Sequence, residues 1–335
     1  MSDGLMGVLV GGTFGFLGGM LGLLGTAVLE RQKARREHLG QVRLRLVQER
    51  VQTSELMDYV WAQRKRRWPR FWSRGQPDLS RADLREASLF EVDLQHAQLF
   101  KAHLQNVSMQ GADLRMASLR EADLRDAKLL GARLEGANLH GAQMQGIDLA
   151  WADLRGAYLQ DAVLRGANLR DADFRGARLL RAQLQEANLS GANLDGANLT
   201  SAGLTGACLE GATLRGARLY RADLRGADLR WVIGEKLGLA EADLEGAVLR
   251  WANLLGASLV DAKLHGANLL RANLQAANLL RADLRGTLLD GADLRGAILD
   301  LARFDETTVL PDGSRWSPRS DLSRFSQNQK RKQAG

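Results

Sequence analysis

The sequence predicts an all-β solenoid, and three observations carry that reading. From residue 78 to residue 310 an apolar residue returns at every fifth position; of 47 units centred from Leu79 to Val309, leucine holds the centre in 41. Alanine holds the place two before the centre in 39 units, and Asp or Asn stands between them in 22 (13 Asp, 9 Asn). A glycine often stands two places after the centre, as in GANLDGANLT and RADLRGADLR. A strict five fits neither the 3.6-residue period of a helix nor the two-residue period of a strand. It marks a stack in which each coil repeats one unit and buries its core against its neighbours. Leucine and alanine both point inward, large and small alternating so that successive layers fill a narrow bore. The short polar residue between them bonds nearby backbone at a corner, and glycine eases the tight turn. Aspartates that recur at one place in the unit read as turn chemistry rather than acid–base chemistry.

Four segments follow from composition: an apolar stretch at 1–29, a basic connector at 30–74, the repeat array at 75–313 and a basic, disordered tail at 314–335. Residues 4–29 carry no charge over 26 positions. As a helix they would extend about 39 Å, enough to cross a hydrocarbon layer of about 30 Å with some tilt. A cleaved signal peptide is the competing reading, but no basic residue precedes the run and no clear A-x-A site follows it. Arg31, Lys33, Arg35 and Arg36 follow the span directly, which keeps the array on the cytoplasmic side of a single-pass membrane protein. Within the span Gly4, Gly11, Gly18 and Gly25 recur every seven residues, with Gly15 and Gly22 four places after two of them. Small residues along one stripe let membrane helices approach closely, so the expected partner is a second copy (a homo-oligomer) or another integral membrane protein.

The connector reads as helix, with no proline before Pro69. Leu39, Val42, Leu46, Leu56 and Val60 lie on a seven-residue seam that Glu49 and Thr53 interrupt, a weak coiled-coil pattern. Trp68, Phe71 and Trp72 either fold over the first coil and seal its open end or lie with Arg64–Arg67 on a membrane surface.

The unit A(D/N)LxG resembles the pentapeptide repeat family, over about 70 per cent of the chain and without loss of phase. That resemblance implies a right-handed quadrilateral β-helix, four units to each square coil, preceded here by the transmembrane helix and the helical connector. At about 4.8 Å between coils, about 12 coils make a rod roughly 55 Å long. Met109, Met144, Phe174 and Phe304 replace leucine and still fill the core. The one real break is Val232–Leu237, where Gly234 takes a core centre and a bulge or local distortion is expected before Leu239 restores the phase. The segment LPDGSRW after the last centre resembles the closing segment of family members.

Charge is segregated along the chain. The array holds 27 basic and 32 acidic residues, whereas residues 30–74 hold 13 and 5, and residues 314–335 hold 6 and 1. The high pI therefore belongs to the flanks and gives no reason to read the array as a nucleic-acid-binding surface. Some family members bind DNA gyrase as mimics of duplex DNA. A mildly acidic, arginine-studded array tethered to a membrane argues against that role here. No cofactor is implied. His38, His96, His103, His140 and His265 fall on different elements or faces, with no Cys or Glu at ligand spacing, and no metal or catalytic set is read from them. Cys208, the only cysteine, reads as structural filler facing outward.

With four units to a coil, residues twenty apart form columns. One side then carries Phe100, Leu180, Tyr220, Val260 and Leu280 just after the core leucines. The opposite side carries Phe90, Leu130, Leu270 and Leu310, with Trp151, Trp231 and Trp251 one position further on. Trp231 and Trp251 fall on adjacent rungs, about 5 Å apart. The other two sides are polar at this place apart from Leu255. Clustered exposed apolar and aromatic residues mark contact with proteins, against the plainer reading of tolerated variation at free positions. The sequence thus points to a non-enzymatic, membrane-anchored scaffold that presents a rigid rod in the cytoplasm to protein partners it does not name. An accessory subunit of a membrane complex, joined through the glycine stripe, is the alternative.

Overall fold

The computed structural model describes residues 78–326; the predicted span at 4–29 with its glycines, and the connector with Trp68, Phe71 and Trp72, lie outside these residues. Among the described residues no helix is long and apolar enough to cross a membrane.

One unit shows how five residues satisfy their own backbone. Ala122 N–H donates to Leu119 O within the coil at 3.1 Å, Asp123 N–H to Ala102 O of the preceding coil at 2.9 Å, and Leu124 N–H to Gln143 O of the next at 2.7 Å. Asp126 N–H also reaches the next coil, at Gln145 O, 3.0 Å away. Only the Arg125 N–H has no backbone acceptor, and the Asp123 carboxylate takes it at 3.3 Å. The same bond, from residue to residue-minus-two, forms at all 22 Asp and Asn that precede a centre. The polar residue of the unit therefore closes the one donor that the ladder leaves open.

The residue before each centre pairs in parallel with the residue twenty later, from Asp78 with Gln98 through to Asp283 with Arg303. Four units thus make one coil. Between coils the leucines and alanines are sealed: from Ala97 to Leu289 nearly every one has no exposed surface, and Met109, Met144 and Phe174 fill the same places. Every corner residue from 81 to 301 has a left-handed φ, between 49° and 71°; 20 of these 45 corners are glycine and 25 carry a side chain. A side chain in that conformation costs roughly 1–2 kcal/mol. More than half of the corners accept that cost, so stacking of the coils, rather than glycine, sets the turn. Full burial of each core leucine, about 1.5–3 kcal/mol, offsets it.

At the break, the expected bulge is absent. Ile233 pairs with Thr213 and Asn253 in unbroken register, and Gly234 N–H reaches Asn253 O at 2.7 Å. A β-carbon placed on Gly234 would lie 2.9 Å from Leu237 Cδ2 and 3.2 Å from Leu254 Cδ2. Leu237 occupies the alanine place of the next unit and is fully buried. The two units have exchanged large for small, so Leu237 fills the space Gly234 leaves and the backbone has no volume to absorb.

The far end departs from the sequence reading in two ways. Leu288 pairs with Val309, twenty-one residues on, because the corner at Asp305–Thr308 holds one extra residue. Leu310, not Val309, therefore enters the core and is 1% exposed, which removes it from the outward apolar column. In addition, residues 314–326 are folded where a disordered tail is expected from 314. Arg315 turns back antiparallel to Val309 around Gly313, Trp316 stacks on Phe304 at 6.0 Å, and Gly296 N–H donates to Ser326 O at 2.7 Å. A one-turn helix α1, Ser323–Ser326, brings Phe325 against the core. The buried hydroxyls of Thr287 and Thr308 donate to Leu264 O and Leu284 O, at 2.8 and 2.9 Å. Apolar residues thinly scattered in a polar, basic segment gave no periodic signal, yet three aromatic rings suffice to cover the last coil. Residues 327–335 lie outside the described residues.

Two outcomes are expected. Gly234→Leu overpacks the bore and costs about 1–3 kcal/mol; Leu237→Ala leaves a void and costs about 2–5 kcal/mol; the double variant recovers most of the loss in a denaturation midpoint. Additive losses would show that the exchange is not compensating. At the cap, Asp305 Oδ1 accepts from the Thr307 hydroxyl at 2.6 Å and from the N–H groups of Gly286, Thr307 and Thr308. These bonds, the Thr307 hydroxyl first, hold its carboxyl at about 2. A depressed pKa makes its stabilisation complete above the ordinary carboxylate range and lost as pH falls through about 2. Hydrogen-exchange protection of residues 305–316 should fall between pH 4 and pH 2, and Asp305→Asn should flatten that dependence; an unchanged profile in the variant would assign the effect to other groups.

Candidate interaction surface

The register turns the predicted columns into ladders of real contacts. On one side the carbonyls of Leu180, Thr200, Tyr220, Ala240, Val260 and Leu280 each accept from the corner N–H of the coil before, on six successive rungs. Tyr220 is 37% exposed, Leu180, Val260 and Leu280 are half-buried, and beyond them Ile298 and Leu301 are 45% and 75% exposed. These residues form a largely apolar strip along the later half of the rod, interrupted by Thr200 and Asp300. Phe100 stands apart from it, separated by Arg120, His140 and Gln160 in the same column and with Lys101 over its ring at 5.1 Å.

Beside the strip runs a corner of paired charges. Arg181 grips Asp161 with two bonds of 2.7 and 2.8 Å, Arg281 grips Asp261 at 2.6 and 2.5 Å, and Arg221 reaches Glu241 at 2.6 Å. Each guanidinium bond lowers its carboxyl's pKa. The Tyr220 hydroxyl donates to Glu241 at 2.8 Å, and that bond raises the phenol's pKa. Tyr220 is thereby held in place, and Arg221 covers its ring at 4.9 Å. Such exposed pairs stabilise weakly, by about 0–1 kcal/mol each, and act mainly to fix the strip's border. Around Arg120, His140, Tyr158 and Arg181 the same side has a shallow depression.

On the opposite side Trp231 and Trp251 stack with centroids 4.6 Å apart and ring planes within 3°, close to the spacing their register predicts. Both indoles are half-buried. Trp151 lies four rungs before Trp231 in this column and does not join the stack. Leu255, on a third side, is 39% exposed and isolated among polar residues.

Most arginines of the array are already occupied. At nine places an aspartate before a core centre (leucine, or Phe174 in one case) holds the arginine after it through Nε and NH2, as Asp123 holds Arg125 at 2.8 and 2.6 Å. At Asp223 and Arg225 the guanidinium lowers the aspartate's pKa and the carboxylate raises the arginine's. Pairing of this kind neutralises these aspartates one by one and leaves no unbroken run of negative charge among them.

One cluster was invisible at sequence spacing. Cys208 pairs with Asp228 across the coils, and the Cys208 sulfur and the Glu210 and Asp228 carboxylates come within 4.8 Å of one another. Ligand spacing along the chain could not reveal residues joined by a step of twenty. Arg230 donates to Asp228 at 2.6 Å and to Glu210 at 3.1 Å, so these carboxylates are neutralised by the protein's own guanidinium.

Comparison with known proteins comes down on one family. A family model for pentapeptide repeats matches in eight copies, which run from residue 76 to 233 and from 239 to 305 and so are interrupted at the Gly234 break. HetL from the cyanobacterium Nostoc sp. strain PCC 7120, a protein involved in heterocyst differentiation regulation, is 35% identical over 74% of this chain and 97% of its own, with a TM-score of 0.28. A pentapeptide repeat protein of the Arabidopsis thaliana thylakoid lumen is 32% identical over 30% of this chain and 66% of its own, with a TM-score of 0.24. QnrB1, a plasmid-mediated fluoroquinolone resistance protein, is 20% identical over 59% of this chain and 89% of its own, with a TM-score of 0.40. No curated protein sequence matches the chain significantly. With the repeat model covering more than half of its residues, and with four-unit coils in register from Asp78 to Arg303, the chain belongs to the pentapeptide repeat family, whose members fold as right-handed β-helical solenoids.

Proposed function

We propose that the chain is a non-catalytic scaffold, anchored in a membrane by residues 4–29, whose rod docks other proteins on the cytoplasmic side. The observation that carries this reading is the largely apolar strip from Leu180 to Leu301 on a rod most of whose arginines are paired with carboxylates. Exposed apolar surface bordered by fixed charge is the common make-up of protein contact sites. The uncharged length of residues 4–29 and the four basic residues just after them support the anchor and its orientation. Gly4, Gly11, Gly15, Gly18, Gly22 and Gly25 would pack that helix against a second membrane helix. The duplex-mimic role of some relatives draws little support, because arginines neutralise the aspartates one by one.

Two measurements test the reading. Full-length chain should stay with membranes in alkaline carbonate, and a chain lacking residues 1–29 should wash off; a retained deletion variant would place the anchor elsewhere. A photo-cross-linking residue at Val260 should yield adducts with other proteins in cells, whereas the same probe at Glu245, on a polar side, should not. Equal yields from both positions would remove the strip from the account.

A further inference from the structure

The nine arginines that follow an aspartate by two places are held by it; Arg250 is not, because residue 248 is valine. Its guanidinium lies instead over the Trp251 ring, 4.5 Å from the centroid, and its Nε–H is buried without an acceptor. A buried donor left unsatisfied costs about 1–3 kcal/mol, and no carboxylate among the described residues takes up this guanidinium. Trp251 rests on Trp231. Arg271 stands one rung further in the same corner column, with its stem over Gly291 and no carboxylate partner among the described residues. Around this group lie the apolar side chains of Val248, Leu270 and Leu288, the last 38% exposed. Two guanidiniums that no carboxylate among the described residues holds, two stacked indoles and three aliphatic side chains therefore share one side of the rod.

We propose that this cluster receives an acidic segment of a partner protein that also carries an aromatic or leucine side chain. A guanidinium stacked on an indole keeps its N–H edge free for a carboxylate, and stacking fixes it so that little freedom is lost on pairing. The partner's apolar residue settles against the indole edges and Leu270. A long polyanion suits the site poorly: these guanidiniums number two rather than a row, and the carboxylates of Glu210, Asp228 and Asp290 stand on the same side. The inference rests on the rod being a protein-docking module and names the chemistry of one partner.

The test uses the full-length chain in detergent and immobilised 12-residue peptides. One peptide set combines Glu with Phe or Leu; the comparison sets replace Glu with Lys, or keep Glu and omit every apolar residue; a 24-base-pair duplex is the competitor. The first set should bind at least tenfold more tightly than either comparison set. Arg250→Gln with Arg271→Gln should weaken it tenfold or more, as should Trp251→Ala. Arg225→Gln, whose arginine is paired with Asp223, should change it less than twofold and serves as the control for folding. Absence of binding, equal binding of the Glu-only set, equal competition by the duplex, or an equal loss in Arg225→Gln would each overturn the proposal. Cross-links from Val260 without peptide binding would sink this inference alone, whereas absence of cross-links from every side would sink the docking module beneath it.

Discussion

Everything in this rod depends on each coil lending its carbonyls to the coil before it. Four of the five N–H groups in a unit find backbone acceptors, two of them in the following coil and one in the preceding coil. A single coil therefore cannot stand alone: its donors and its leucines are satisfied only when neighbours are present on both sides. That requirement fixes the step of twenty, and the step of twenty in turn decides which side chains ever meet. Local chemistry enters only at the fifth donor, where Asp or Asn takes over.

The same constraint explains which departures are tolerated. Gly234 keeps the backbone ladder intact and transfers its missing volume to Leu237, so nothing outside the bore changes. The extra residue at Asp305–Thr308 does disturb the ladder, and there the structure ends its regular stacking. Volume can be traded between neighbours inside the bore; register cannot. By the same logic the left-handed corners accept Arg, Glu or Trp, since the corner backbone is set by its neighbours and the side chain leaves the stack freely.

How much of this was legible in the sequence follows from what the period encodes. The centre and the alanine place repeat in the chain itself, so the inward residues could be read directly; the square coil and its columns followed from the family resemblance, and the Trp231–Trp251 stack came out at its expected spacing. What escaped lay across the columns or beyond the beat. Cys208, Glu210, Asp228 and Arg230 meet only through the step of twenty, and whether a given arginine is spent on a carboxylate depends on which neighbour it turns towards. Phe100 shared its column with the strip and Leu310 stood in the opposite one, yet the first is set apart by polar rungs and the second is drawn inward by the slip. The closing segment escaped because a cap is used once, and a feature used once leaves no period to detect.

The single added residue at Asp305–Thr308 bears on a hazard of any translationally periodic object, which has no length of its own. Left in phase, the last coil would present the same face that every internal coil presents, and another rod could continue it indefinitely into a fibre. By shifting Leu310 inward, reversing the chain through Gly313 and laying Trp316 and Phe325 across the end, the protein gives its terminus a shape that no coil of its own kind can match. The molecule thereby stays countable, one rod per chain, at the expense of one residue of symmetry.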